Sequence, residues 1–497
     1  MLSFDRHSRL VVGFFCLLKL TLHLIADYYS GFQGDELLHI EAGNNLAFGY
    51  MEFPPMIAWL AFIQNLFQSE SVFVHHIFTH IASLLILVFV AKTVHVLGGG
   101  WKAIFLVLLC LVPVMGRSHQ LFQPVVFSQL FWVFNFYFLT QYVKLADRKY
   151  LWFLTVGVAL AWYSKYDVVF FLFGLLSLLL FKETRARLIQ HKFWWNVVAF
   201  IVIISPNLYW QYANDLPVFR MFSRLYETQL DKLSMVDVLG GLFVALNPVA
   251  LLVYLPALLL FFRDDMKRYR VLFLTLIFSA TLLALSKGKS YYFYPMMLSL
   301  LPFGGVYWES VILKWKRWLL YPVSALLVIS GLILLPFSIP LTSLESYLAF
   351  GEYAVKEERY SKAKWENTLI ALKEVYEGLP ENVRQDTYVW AKHYGQAGAI
   401  RLMGEGYDLP EAFSLHGSFY LWLPEGEMPD TVIALRYSDE NGSDFFMPYF
   451  EEVVPVRSLY NPYADEEEML WQTIFICKGP KQDFAGLKKQ FEKRIFE

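Results

Sequence analysis

The stretch Gly34–Pro55, GDELLHIEAGNNLAFGYMEFPP, carries four carboxylates (Asp35, Glu36, Glu41 and Glu52), one histidine, and no lysine or arginine. It follows the first long apolar run of the chain, residues 10–27, and closes on Pro54-Pro55. Acids without nearby cations beside a run long enough for a bilayer read as a loop at a membrane surface. The two prolines then force extended backbone and end the segment.

Working outward, the 497-residue chain is 57% hydrophobic and 18% aromatic, above the usual globular range. Its apolar runs predict eleven candidate spans, at 10–27, 72–91, 103–116, 125–143, 151–163, 167–181, 193–210, 240–262, 271–286, 292–312 and 319–338. The segment MIAWLAFIQNLF, which begins at Met56, is short enough to lie along the interface. The weakly basic N-terminus, with no small-residue cleavage pattern before the acidic loop, reads as an uncleaved anchor.

Charge divides the chain. Residues 1–340 hold 26 lysines and arginines against 17 acids, whereas 341–497 hold 16 against 27. The expected organisation is therefore a transmembrane domain over 1–340 and a soluble α/β domain over 341–497. With the N-terminus cytoplasmic, the inner loops of the eleven-span scheme hold eighteen cations and the outer loops seven. This asymmetry places Gly34–Pro55 and the C-terminal domain on the outer face of a plasma (inner) membrane. The basic residues are dispersed through short loops, so nucleic acid is not an expected partner. Cys16, Cys110 and Cys477 form no metal spacing and no disulfide framework.

In the C-terminal part, YAVKEERYSKAKWENTLIALKEVYEGLP (353–380) has helical spacing. The runs TYVWAKHY, FYLWLP, TVIALRY and QTIFICKG read as strands or buried extended segments, and DEEE at 465–468 as a solvated face.

Asp35 and Glu36 open a short amphipathic helix expected over 35–48. The plain structural reading makes Asp35 an N-cap. The chemical reading makes it a general base, since a carboxylate near a low-dielectric boundary gains basicity. His39 lies one helical turn from Asp35, which leaves a divalent metal at the acidic loop as a weaker alternative; no metal ligands are assigned. Tyr50, Glu52, Pro54 and Pro55 are expected to shape the loop or contact an acceptor. Lys165, Lys287 and Lys289 are outer-edge cations suited to a lipid phosphate, although snorkelling explains each equally well. Arg220 and Arg224 could share a helical face. Lys19 and His23 lie inside the first span, where ionisable groups normally face protein. The P-loop, nucleophile elbow, HExxH and dinucleotide fingerprints are missing from the sequence.

Taken in order, several segments resemble one family. The acidic pair followed by GY-x-x-x-PP is similar to the first outer loop of the GT-C membrane glycosyltransferases. The nearest subgroup is the bacterial family 39, related to protein O-mannosyltransferases and to the aminoarabinose transferase of lipid A. FQPVVFSQLFWVFNFYFL, ALAWYSKYDVVFFL, ISPNLYWQYANDLPVF and KGKSYYFYPMM resemble later segments, and HYGQAGAIRLMGEGYDLPEAFSLHGSFYLWLP resembles the outer domain.

The resemblance implies a GT-C helix bundle with an outer α/β domain. It implies inverting transfer of a sugar from a polyprenyl-phosphate carrier to a lipid, glycan or protein acceptor. Asp35 would be the catalytic base with Glu36 in support, and Lys165, Lys289 and Tyr292 would contact the donor phosphate. Two departures stand out. Pro124 is followed by Val125, with Ser128 nearby, where many relatives carry an acid. Phe53 follows Glu52, where the aminoarabinose branch has lysine. The competing class is a lipid or glycan transporter or flippase without covalent chemistry, which would need its ionisable groups near the midplane and not at one edge.

Overall fold

The computed structural model describes residues 4–349, 360–464 and 467–496. Each of the eleven apolar stretches falls on a helix or a helix pair. Among the described residues, five helices are long and apolar enough to cross a bilayer: Arg6–Tyr29, Ile77–Val96, Asp264–Leu285, Ser290–Trp315 and Arg317–Ser338. Two bent pairs raise this to seven if each is one span. One joins Lys182–Gln190 to Trp194–Ala213 at 69°, and the other joins Met235–Ala245 to Pro248–Phe262 at 89°.

The second bend has a local cause. Asn247 precedes Pro248 and adopts φ +64°, and its side chain accepts the Val249 N–H at 3.1 Å. Proline disfavours helical backbone in the residue before it, so the apolar run 240–262 is broken and not continuous.

The chain divides into two units. The first comprises Met1–Leu24, Phe53–Met56 and Ile77–Ile339. It is a helical bundle in which Pro124–Leu145 packs against Lys149–Ser164 and Ile77–Val96. Small residues let backbones approach: a Cβ on Gly304 would come within 2.1 Å of the Val253 carbonyl oxygen. Lys19 is fully buried here, and its Nζ has no hydrogen-bond partner among the described residues.

The second unit comprises Ile25–Glu52, Ile57–His76 and Pro340–Glu497. It holds a mixed five-stranded sheet of β1 (Tyr388–Ala391), β2 (Ala412–Phe413), β3 (Thr431–Tyr437), β4 (Phe450–Tyr460) and β5 (Trp471–Pro480), in the order β2-β1-β3-β5-β4. β1 runs parallel to β2 and β3, whereas β5 is antiparallel to β3 and β4. The core gathers Trp390, Phe413, Phe446, Phe475 and Phe484. FYLWLP is not a strand: Gly417–Trp422 is a 3₁₀ segment in which Phe419 is buried. The helix expected over 353–380 is present as Ser361–Glu377, and its first residues, like part of DEEE, lie outside the described ones.

The acidic stretch as far as Glu52 is part of this second unit, and Phe53–Pro55 belong to the first. The Phe32 carbonyl accepts hydrogen bonds from Ser361 Oγ (2.6 Å) and Trp365 Nε1 (2.7 Å). The helix Gly34–Asn44 packs on the helix Tyr394–Met403 through glycines. A Cβ on Gly395 would lie 2.8 Å from the Gly34 Cα, and one on Gly398 would lie 2.8 Å from the Leu37 Cβ.

Candidate functional site

The acid helix spans Gly34–Asn44 and so ends before residue 48. Its N-cap is Gln33, not Asp35, which lies in the first turn. The reason is Glu36, whose Oε2 accepts the Gln33 N–H at 2.7 Å and so closes the first turn one residue early. The other Glu36 oxygen, Oε1, meets His76 Nε2 at 2.7 Å, and His76 Nδ1 meets Asp27 Oδ1 at 2.8 Å. A ring with a carboxylate at each nitrogen donates from both, which is the imidazolium form. Glu36 is thus committed to the helix terminus and to His76.

Two of the four acids have counter-charges that their sequence context did not reveal: Glu36 has His76 and Glu41 has Arg401. Glu41 pairs with Arg401 Nη1 at 2.6 Å, and Arg401 also reaches Glu411 at 3.0 Å. Asn44 and Asn45 donate to the Glu41 carboxylate. The counter-charges come from residues far along the chain, so local sequence could not reveal them. His39 is buried on the same helix.

Asp35 Oδ1 accepts a 2.6 Å hydrogen bond from the Tyr394 hydroxyl. Tyr394 is the first residue of its helix, where the His393 Nδ1 caps the Gly395 N–H at 3.0 Å. The rings of His393 and His416 pack against Tyr394 at 4.1 and 4.7 Å. Burial, with the Asp35 carboxylate next in weight, holds the Tyr394 phenol well above its ordinary range, so it remains a donor. Burial, followed by Lys392, depresses His416 to about 4, and His393 is also lowered well below its usual value, so both imidazoles are neutral.

Glu52 is held by the loop after β2. The Ser418 N–H donates to its Oε1 at 2.8 Å and the Ser418 hydroxyl donates to its Oε2. Removal of the carboxyl from water is the largest influence on it. The Ser418 bonds oppose this and the nearby Asp35 charge adds to it, and the result is a carboxyl pushed up to about 7. The Tyr50 hydroxyl lies 2.9–3.1 Å from the Asn45 and Ala42 carbonyls and the Ala47 N–H, which fixes the turn between the helix and Glu52. Pro54 and Pro55 are buried and lead directly into the helix Met56–Asn65.

In the helical unit, Lys165 ends the helix Lys149–Ser164. Its Nζ sits 4.2 Å from the Tyr292 ring centroid and 5.3 Å from that of Tyr291. Asp167 lies 3.4 Å from Lys165 and accepts a 2.8 Å bond from Ser128 Oγ. Asp167, just past the end of the helix Lys149–Ser164, is thus the acid that meets Ser128. Lys289 donates to the Gln229 side chain, and Lys287 pairs with Asp231 at 2.5 Å. The structure brings Lys165 and Tyr292 together. Arg220 lies 3.9 Å from Asp215, a loose surface pair.

Comparison with known proteins bears on this arrangement. Residues 52–210 match the family of dolichyl-phosphate-mannose-protein mannosyltransferases. No curated protein matches significantly. Among solved structures, ArnT from Cupriavidus metallidurans in the apo state matches with a TM-score of 0.61 at 14% identity, over 94% of this chain and 97% of that one. The same protein bound to undecaprenyl phosphate matches with a TM-score of 0.60 at 13% identity, with the same coverage. The chain has the GT-C fold. The family match includes Glu52 and Lys165 but leaves Asp35 and Lys289 outside its limits.

Sequence reasoning missed Tyr394, Ser418, Arg401, His76 and Asp167. The closest signal was the small-residue run Gly395, Ala397, Gly398 in the segment that resembled the GT-C outer domain. Nothing in it pointed to Asp35, 359 residues away.

Proposed function

We propose that the chain is an inverting glycosyltransferase that moves a sugar from a polyprenyl-phosphate carrier to an acceptor hydroxyl, at the outer face of the plasma (inner) membrane. The observation that carries this reading is the fold likeness, over 94% of the chain, to ArnT in a structure bound to undecaprenyl phosphate. The family match over 52–210, to enzymes described as using dolichyl-phosphate-mannose, supports a lipid-phosphate donor. The loop-charge asymmetry supports a cytoplasmic N-terminus and an extracytoplasmic domain over 341–497.

In this reading Asp35 takes the proton of the acceptor hydroxyl as that oxygen attacks the anomeric carbon. The bond between that carbon and the carrier phosphate breaks, and its electron pair leaves on a phosphate oxygen. The carrier phosphate is already a good leaving group, so a positioned base and cations on the leaving oxygens suffice. Lys165 and Lys289 would supply those cations, with Tyr292 beside Lys165. Glu36 supports the base indirectly, because it closes the helical turn that carries Asp35. Tyr50 and Glu52 shape the acceptor side of the loop, and Pro54-Pro55 fix its exit.

The test is Asp35→Asn in membranes supplied with lipid-linked sugars, read by mass spectrometry of envelope glycans and residual donor. Transfer should be lost while the protein still folds and binds polyprenyl phosphate. Undiminished transfer would remove Asp35 from the role of base.

A further inference from the structure

The hydrogen bond between Tyr394 and Asp35 is a built contact. Gly395 and Gly398 let the helix Tyr394–Met403 approach the acid helix so closely that a Cβ at either position would meet Gly34 or Leu37 at 2.8 Å. The His393 cap fixes where this helix begins, and so fixes its first residue. The packing of His393 and His416 on the Tyr394 ring restrains its rotation. Tyr394 is held neutral by its surroundings, so the phenol donates and the Asp35 carboxylate accepts.

A base acts only when its oxygen is presented within hydrogen-bond reach of the proton it removes, and small misplacements are costly. A carboxylate on a helix can turn about its terminal bond, a broad and weakly restrained torsion. A donor fixed at one oxygen limits that rotation. We propose that Tyr394 is the positioning residue of the Asp35 base, so that the C-terminal segment supplies part of the catalytic machinery. This rests on the reading of Asp35 as the base.

The experiment compares Tyr394→Phe, Asp35→Asn and the double variant in the full-length protein reconstituted with lipid-linked donor. Tyr394→Phe removes one oxygen and keeps the ring. Its kcat should fall about 10- to 100-fold, the expected loss for a hydrogen bond to a charged group, with KM for donor and acceptor within about twofold. In the Asp35→Asn background the same change should have no further effect on residual turnover. Unchanged kcat in Tyr394→Phe, with Asp35→Asn inactive, overturns the positioning role and leaves the base reading standing. Full activity of Asp35→Asn overturns the base reading itself. Should Tyr394→Phe fail to fold, 3-fluorotyrosine at position 394 keeps the packing. Its ¹⁹F resonance should move on Asp35→Asn, and an unmoved resonance overturns the proposal.

Discussion

Gly417 lies against the carboxylate of Glu52: a Cβ at this glycine would come within 1.7 Å of Glu52 Oε1. Gly417 also adopts φ +61°, where L-residues are strained. Gly417→Ala should therefore carry two penalties, about 1–2 kcal/mol from backbone strain and a further loss as Glu52 is displaced from Ser418. Thermal unfolding should show the loss, and Gly426→Ala gives the comparison. Gly426 has φ +95° and nothing within 4 Å of its would-be Cβ, so strain alone acts there.

Glu52 and His416 make opposite contributions to pH dependence. The Glu52 carboxyl is raised from 4.5 to about 7, so the fold favours its neutral form. That stabilisation is complete below 4.5 and is lost as pH rises through about 7. His416 is lowered from 6.5 to about 4, so its contribution is complete above 6.5 and is lost as pH falls towards 4. Between these limits the two offset one another. Glu52→Gln removes the first alone, so its Tm should fall more steeply than that of the wild type between pH 7 and pH 5. Parallel curves would show that Glu52 does not titrate in this range.

Arg401 is the cation that meets Glu41 on the acid helix. The Glu41 side chain is 8% exposed and that of Arg401 15%. Arg401→Met should cost about 3–5 kcal/mol, because it leaves Glu41 charged and enclosed. Adding Glu41→Gln should recover most of the loss, and a double-mutant cycle by denaturant unfolding measures the coupling. An additive cycle would make the pair energetically irrelevant.

Lys165 and Lys289 are separable by donor binding. Lys165 is tied to Tyr292 and Asp167, whereas Lys289 rests on the neutral amide of Gln229. Loss of a charge-assisted contact to phosphate should weaken polyprenyl-phosphate affinity about tenfold or more in Lys165→Ala and in Lys289→Ala. The unfolding temperature should stay unchanged in Lys289→Ala, whereas Lys165→Ala also gives up the contact with the partly buried Asp167 and should lower it. Unaltered affinity in either variant removes that lysine from the donor site.

The helices were legible in the sequence because an apolar run needs no distant partner to declare itself. The strands were legible only in part. β3 and β5 are buried apolar runs, whereas FEEVVPVRSLY, which forms β4, is an exposed edge strand whose polar residues masked it. The site divides in the same way. Asp35, Lys165 and Tyr292 were singled out through motifs, each local to its loop, and their roles belong to the proposed function. Arg401, Ser418 and Tyr394 carry no local mark, since their roles arise only where the acidic loop packs on the sheet unit. Asp167, which meets Ser128, lies 39 residues further along and outside the Pro124 segment.

The second unit joins residues 25–52 and 57–76 to Pro340–Glu497. During synthesis the acidic loop leaves the ribosome hundreds of residues before the strands and helix that hold it. Gly34 must wait for Gly395, Phe32 for Trp365, and Glu52 for Ser418. Such long-range closure is slow to form and exposes intermediates. A chain released before residue 394 lacks the phenol that Asp35 meets. Translation order therefore makes the contact between Asp35 and Tyr394 one of the last in this unit to form.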